Sequence, residues 1–486
     1  MTGPVRYLPM PTPAPRAPIR PVPAVPRLVS VLDGLTALVA LVAASTLVTG
    51  GFRAEFLGLR VSTTSWWRVA LVALVLLAAR HAWRRSPWFA SRGWHAYMRW
   101  RQDAVTRATW PVIVTTRLGV LVVGLLAVHA IGYPQGRAPI RVAEGEVANL
   151  PARFDAGWYL TIATRGYEYL PNRFDRQQNL VFFPAFPTLM AWVSLLFARQ
   201  VVWSGAIVSM VAFAWAMRYL FRLARELMDE ARAVVAVALL AAYPFAVFFS
   251  APYTEGLFLL AMLGAWWHLR RDERWAGFAW GFVAGLTRPN GCLLSVPLAL
   301  VVVAPLWKHG RLQRPPDGWL GVVDRLVVAA APGLGMLAYS AYVYDVTGDP
   351  FMWIRLQAAW GRENIGVAAF LAGEWRSLGE QGLYGYATGD VPNFLNALAA
   401  LLVGASLVPV WRRFGAPAAV LLAVNLAPSL ASGGWLSVGR ATSVLFPLFL
   451  WLADVVPARH RLVWIAAFAA LQAFAATLFF TWRPVF

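Results

Sequence analysis

A carboxylate, Asp155, stands between Phe154 and Trp158-Tyr159 at the head of the most polar and aromatic stretch of the chain, PARFDAGWYLTIATRGYEYLPNRFDRQQNLVFFPAFP, residues 151–187. A carboxylate of this kind can take the proton of an attacking hydroxyl. Other polar groups recur at the ends of apolar runs. Glu255 closes Ser250-Ala251-Pro252-Tyr253-Thr254-Glu255, Arg288 opens Arg288-Pro289-Asn290-Gly291, and Arg440 follows a glycine-rich turn. Guanidinium groups hold phosphate or carboxylate oxygens through charge-assisted hydrogen bonds. Base and cations together suit a reaction that removes a proton and binds an anionic group, provided a rigid frame brings distant segments together.

The frame is set by composition. With 59% hydrophobic and 14% charged residues over 486 positions, and repeated apolar runs long enough to cross a bilayer, the chain reads as an all-α polytopic membrane protein. About thirteen helices fit the apolar runs. The net charge of +20 does not point to nucleic acid, because the arginines cluster in short segments between apolar runs, as basic residues do on the cytoplasmic side of a membrane. The single cysteine, Cys292, excludes an intramolecular disulfide. Residues 1–27 hold nine prolines and read as a disordered cytoplasmic tail. Two helices and a basic loop fill 28–110, and a catalytic membrane domain fills 111–486.

Arg84, Arg85, Arg92, Arg99 and Arg101 fix the side of the 80–107 segment as cytoplasmic. The helix at 111–131 then delivers the Asp155 stretch to the external face. Large external loops are expected at 132–200 and 345–392, with 182–197 as a shallow or re-entrant element. By parity, Glu255, Arg288-Asn290, the 345–392 loop and Arg440 share the face of Asp155, while the basic clusters mark the other. No segment between apolar runs exceeds about fifty residues, too short for the βαβ domain that grips a nucleotide. An activated substrate that is itself a lipid fits better.

The motifs Phe154-Asp155-Ala156-Gly157-Trp158-Tyr159, Ile162-Ala163, Gly166-Tyr167 and Phe182-Phe183-Pro184 with Pro187 resemble the first luminal loop of the PIG-V-like mannosyltransferases. That family includes the enzyme adding the second mannose to the GPI anchor and many bacterial relatives. The resemblance continues in the Ser250–Glu255 and Arg288–Gly291 motifs. It extends to Thr347-Gly348-Asp349-Pro350 with Gln357, Trp360 and Arg362, to Pro392-Asn393-Phe394 and to Arg440. Phe154 stands where the family often has tryptophan, and Pro289 where it often has serine. The first two helices and the tail fall outside the likeness.

The resemblance implies a GT-C-type fold that moves mannose from a polyprenyl-phosphate carrier to a lipid-linked, glycolipid or glycan acceptor, with inversion. The site would face outside a bacterial cytoplasmic (inner) membrane. Asp155 would be the base; Arg153, Trp158, Tyr159, Tyr253, Glu255, Arg288, Asn290, Gln357, Arg362 and Arg440 would bind substrate. No cofactor and no metal are expected, since none of the six histidines has metal-ligand spacing. Membrane lipids are the remaining partners; nucleic acid is not one.

Each residue also has a structural alternative. Asp155 can cap a short helix, Glu255 can complement a helix dipole, and Arg288 can reach headgroups. Trp353, Trp360 and Trp375 can belong to an interfacial belt. Glu144 with Glu146, or Asp345 with Asp349, can be solvated loop charge rather than a cation site. A transporter or flippase for a lipid-linked substrate is the competing function. Charges near helix centres mark translocation paths, and the central helices read as apolar, with Asp33 placed in the first turn of the first helix.

Overall fold

The computed structural model describes residues 26–49, 53–56, 59–62, 65–85, 87–136, 140–197, 200–308, 311–312, 318–362 and 364–485. All but Pro26 and Arg27 of the proline-rich segment 1–27 lies outside them. Two compact units result, Met1–Gln102 and Asp103–Phe486.

In the first unit the helices Arg27–Thr49 and Trp66–Trp83 pack together, and the short strands Arg53–Phe56 and Leu59–Ser62 pair antiparallel between them. A third helix, Phe89–Gln102, follows. Asp33 lies in the second turn of its helix rather than the first. Its carboxylate accepts from Arg80 Nε at 2.7 Å and is also paired with Arg92. Arg80 is fully buried and donates further to the carbonyls of Arg84 and Pro87, so this arginine holds structure rather than marking topology.

The second unit opens with Asp103, whose carboxylate caps the helix Ala104–Ala130 by accepting from Thr106 N at 3.2 Å. The helix therefore starts seven residues before the expected 111. Pro111 lies inside it rather than at its head, which membrane helices tolerate when neighbours satisfy the freed carbonyl. Eight helices among the described residues are long and apolar enough to cross a bilayer, or nine if Glu230–Ala242 and Pro244–Ser250 form one bent span. Ala185–Phe197, Glu255–Leu269, Ala416–Ala431 and Phe446–Val455 are apolar but only 10–17 residues long. The expected count of about thirteen is reached only if these short helices cross as well. At 1.5 Å per residue the shortest span about 15 to 20 Å, against a hydrocarbon core of about 30 Å.

Two features of this unit position the site. The first is a helix pair. Gly277, Gly281 and Gly285 recur every fourth residue along Arg274–Thr287 and are buried against Gly318–Thr347. Small residues at this spacing let helix backbones meet closely in a membrane. A Cβ at Gly285 would fall 1.9 Å from the Pro332 carbonyl oxygen, and Arg288 follows one turn later. Gly285→Val is therefore expected to force the pair apart and cost about 3 kcal/mol or more, beyond ordinary overpacking, read as a lowered thermal midpoint in detergent.

The second is a break. Glu230–Ala242 ends at Tyr243-Pro244 and turns by 77° into the 3-10 segment Pro244–Ser250. The carbonyls released there are claimed by two distant side chains. Gln472 Nε2 donates to Ala241 and Tyr243, each at 2.9 Å. Arg117, from the middle of Ala104–Ala130, donates to Ala241 at 2.7 Å and Ala246 at 2.5 Å. The central helices are thus not free of charge. Arg117 is 3% exposed, but its charge is absorbed by backbone carbonyls.

Candidate active site

Four segments converge on Asp155. Its own helix, Ala156–Arg165, begins directly after it and ends at Gly166, whose φ of 85° only glycine adopts without strain. Asp155 occupies the cap position, yet its carboxylate makes no capping bond. Instead Oδ2 accepts from Arg440 Nη1 at 2.5 Å. Capping is therefore not what this carboxylate does. The preceding residue, Phe154, sits at φ 47°, and its ring packs on Phe479 and Trp482. A left-handed conformation at a bulky residue beside a reactive group is strain that the surroundings must hold.

The turn after the 3-10 segment supplies Tyr253 and Glu255. The Asp155 amide donates to Tyr253 Oη at 3.1 Å, and that hydroxyl donates to the Arg153 carbonyl at 3.1 Å. Ser209 Oγ holds the Tyr253 carbonyl at 2.6 Å. Glu255, fully buried at the head of Glu255–Leu269, accepts with Oε1 from both Arg440 Nε and Arg288 Nη1, the latter at 2.9 Å. Its Oε2 has no hydrogen-bond partner among the described residues. Two carboxylates and two guanidiniums thus alternate in one network. Burial opposes the charge of Arg440, but Glu255 and Asp155 outweigh it and raise its pKa well above the ordinary value.

Arg440 comes from the five-residue helix Val438–Thr442. Ser437 enters it at φ 64°, and the Gly439 amide donates to Asn396 Oδ1 at 2.6 Å. Gly439 lies against the Phe245 ring, where a Cβ would meet ring carbons at 2.2 Å. Tyr243 and Thr442 join their hydroxyls at 2.8 Å, so the break and the Arg440 helix are locked together.

Above the carboxylate lies an aromatic wall. Trp158 stacks on Phe182 with centroids 6.0 Å apart, and Trp360 meets both rings edge-on at 5.2 Å. The buried Trp360 Nε1 has no partner. Tyr159 packs edge-on against Phe182, Phe186 and Tyr253. Burial pushes the Tyr159 hydroxyl up to about 12 and that of Tyr253 well above its ordinary value. Both phenols stay protonated near neutrality, which leaves carboxylate oxygen as the basic group here.

The remaining expected residues separate by what they touch. Arg362 keeps an exposed surface, yet partial burial and the charges of Arg440 and Arg288 lower its pKa while Asp155 opposes them; no hydrogen bond ties it to the described residues. Gln357 precedes the turn Ala358–Trp360 that carries Trp360. Asn290 is committed to Asn425 Oδ1 at 3.0 Å, fastening Pro289–Leu294 to Ala416–Ala431. Arg153 is a correction: expected to bind substrate, it is fully buried, with bonds to the carbonyls of Phe480 and Asn149, both at 2.7 Å, and to Tyr133 Oη at 3.0 Å. It clamps the C-terminal helix behind the site, a role its neighbour Asp155 gave no sign of.

Of the other aromatic candidates, Trp353 donates to Ser340 Oγ at 3.0 Å inside the protein, and Trp375 is 76% exposed. Glu146 pairs with Tyr133 and Arg141, and Asp349 with Arg355 and the Phe351 amide. Among the described residues no three His, Cys, Asp or Glu side chains gather to hold a metal ion. Arg117 and Gln472, which hold the break, were missed by sequence reasoning. Single polar residues in apolar runs were their only signal.

The network, the aromatic wall and the bent span all draw on residues between 140 and 308, with Arg440, Trp360 and Arg362 added from later in the chain. Residues 140–308 match the mannosyltransferase (PIG-V) family. The match covers about a third of the chain and holds Asp155, Tyr253, Glu255 and Arg288. No curated protein matches the chain. Among solved structures it is similar to the Archaeoglobus fulgidus oligosaccharyltransferase, crystallised with a tethered acceptor peptide containing the NVT sequon. The identity is 12% and the TM-score 0.36, over 79% of this chain and 56% of that one. The chain thus spans little more than half the length of that protein.

Proposed function

We propose that the chain is a GT-C-type inverting transferase that moves mannose from polyprenyl-phosphate-mannose to a hydroxyl of a glycolipid or lipid-linked glycan. The observation that carries this reading is Asp155 itself. One carboxylate oxygen is anchored on Arg440, no hydrogen bond to the other is found among the described residues, and the helix that follows Asp155 carries Trp158, which packs with Phe182 and Trp360. In the reaction the acceptor oxygen attacks the anomeric carbon and gives its proton to the Asp155 carboxylate. The bond from that carbon to the phosphate oxygen breaks, and its electron pair leaves with polyprenyl phosphate. Arg288, with donors beyond the one given to Glu255, and Arg362 would hold the departing phosphate. Arg440 and Glu255 are committed to each other and to the base.

A lipid-linked donor is supported by an apolar cavity of about 570 Å³. Its lining includes Leu257, Leu286 and Pro184, close in sequence to Glu255, Arg288 and Phe182, together with Trp192, Trp215 and Trp280. An external site is supported by helix polarity. Glu255 and the pair Arg270-Arg271 stand at opposite ends of one helix. Basic ends stay cytoplasmic.

Membranes holding the protein, given radiolabelled polyprenyl-phosphate-mannose and a total lipid extract, are expected to move label into a new glycolipid. Label that crosses between leaflets without entering a new product would instead make the chain a flippase for lipid-linked sugar.

A further inference from the structure

Arg117 lies midway along the helix Ala104–Ala130, outside the family match, and takes no part in the transfer chemistry. A charge in a membrane span is costly and is kept for a function. Its donors define that function. Nη2 reaches the Ala241 carbonyl at 2.7 Å, ahead of the break, while Nη1 reaches Ala246 O at 2.5 Å and Ser250 Oγ at 3.1 Å, within and at the end of the 3-10 segment. The guanidinium lies over the Phe213 ring, 4.8 Å from its centroid. One rigid fork thus spans the whole Pro244–Ser250 turn. Gln472 reaches only Ala241 and Tyr243 at the break, so it is Arg117 that ties the break to Ala246 and to the end of the turn at Ser250.

Tyr253 follows Ser250 by three residues and Glu255 by five. Tyr253 receives the Asp155 amide, and Glu255 holds the Arg440 that grips the Asp155 carboxylate. We propose that Arg117 is a positioning residue for Asp155: by pinning Pro244–Ser250 from within the membrane, it sets where Tyr253 and Glu255 place the carboxylate. This rests on Asp155 being the base. Lysine, with one nitrogen, cannot span Ala241 and Ser250 together.

The test compares R117K, R117M, S250A and Y253F with the wild type, purified in detergent and assayed with polyprenyl-phosphate-mannose as varied substrate. Misplacement by about 1 Å costs about 100-fold in rate. R117K and R117M are expected to lower kcat about 10- to 100-fold with donor KM within about two-fold, and S250A to lower it a few-fold. The R117K/Y253F double variant should be no slower than the slower single variant, because both act through one turn. Wild-type kcat in well-folded R117K and S250A overturns the proposal, as do multiplicative losses in the double variant or a rise in KM matching the fall in kcat. If R117M fails to fold, R117K and S250A decide.

The melting temperatures of R117K, Y253F and their double variant give a readout that needs no transfer. Shifts smaller together than their sum support the proposal even if the wild type moves no mannose, and additive shifts overturn it. Failure of the positioning role and failure of the base are thereby told apart.

Discussion

Asp155→Asn is expected to abolish detectable mannose transfer while leaving the protein folded. The asparagine carbonyl can still accept from Arg440 Nη1, which donates to the carboxylate at 2.5 Å, and Glu255 still accepts from both arginines. Thermal stability should therefore stay close to wild type, and donor lipid should still bind. What is lost is the proton acceptor, because an amide cannot take the acceptor hydrogen at neutral pH and the buried phenols of Tyr159 and Tyr253 stay protonated. General-base removal costs on the order of 10²- to 10⁴-fold. The check is transfer of radiolabel in membranes containing equal amounts of each protein. Wild-type turnover by the variant would remove Asp155 from the mechanism.

Arg440→Met is expected to be the most damaging change to stability. The Arg440 guanidinium bridges Asp155 and Glu255, and its side chain is 7% exposed. Removing it leaves Glu255 with Arg288 alone and takes from Asp155 the guanidinium that anchors it, and breaking a buried pair of this kind costs about 3–5 kcal/mol. Arg440→Lys should recover only part of this, since an ammonium cannot offer two carboxylates the planar fork of arginine. The double variant Arg440→Met with Glu255→Gln should melt higher than Arg440→Met alone, because it removes the uncompensated charge together with its partner. Thermal unfolding of the four proteins in detergent measures this. A double variant less stable than Arg440→Met would mean that Glu255 is held by something other than the arginines.

The membrane class and the site were legible to different depths. Apolar runs gave most long helices within a few residues, because hydropathy is a local property that burial in lipid does not alter. Short elements were harder: Glu255–Leu269 and Phe446–Val455 are apolar but too short to count by length alone. The start of Ala104–Ala130 was misplaced because Pro111 looked like a helix head, while the true cap is Asp103.

By itself the sequence determined a multi-pass helical protein with short motifs, from Arg153 to Arg440 and with Asp155 near their head, that resemble those of the PIG-V-like mannosyltransferases. Motif residues are recognisable one by one because each keeps its chemical type within a short run. Tertiary structure alone decided what each of them touches. Asp155 and Arg440 are 285 residues apart and Glu255 and Arg440 are 185, so no local rule pairs them. Arg153, two positions before the base, turned out to clamp a distant helix, and Arg117, hidden in an apolar run, to hold the turn beneath the site. An arginine's function depends on which acceptors the fold brings within about 3 Å of its fork, and that is fixed by helix packing rather than by neighbours along the chain.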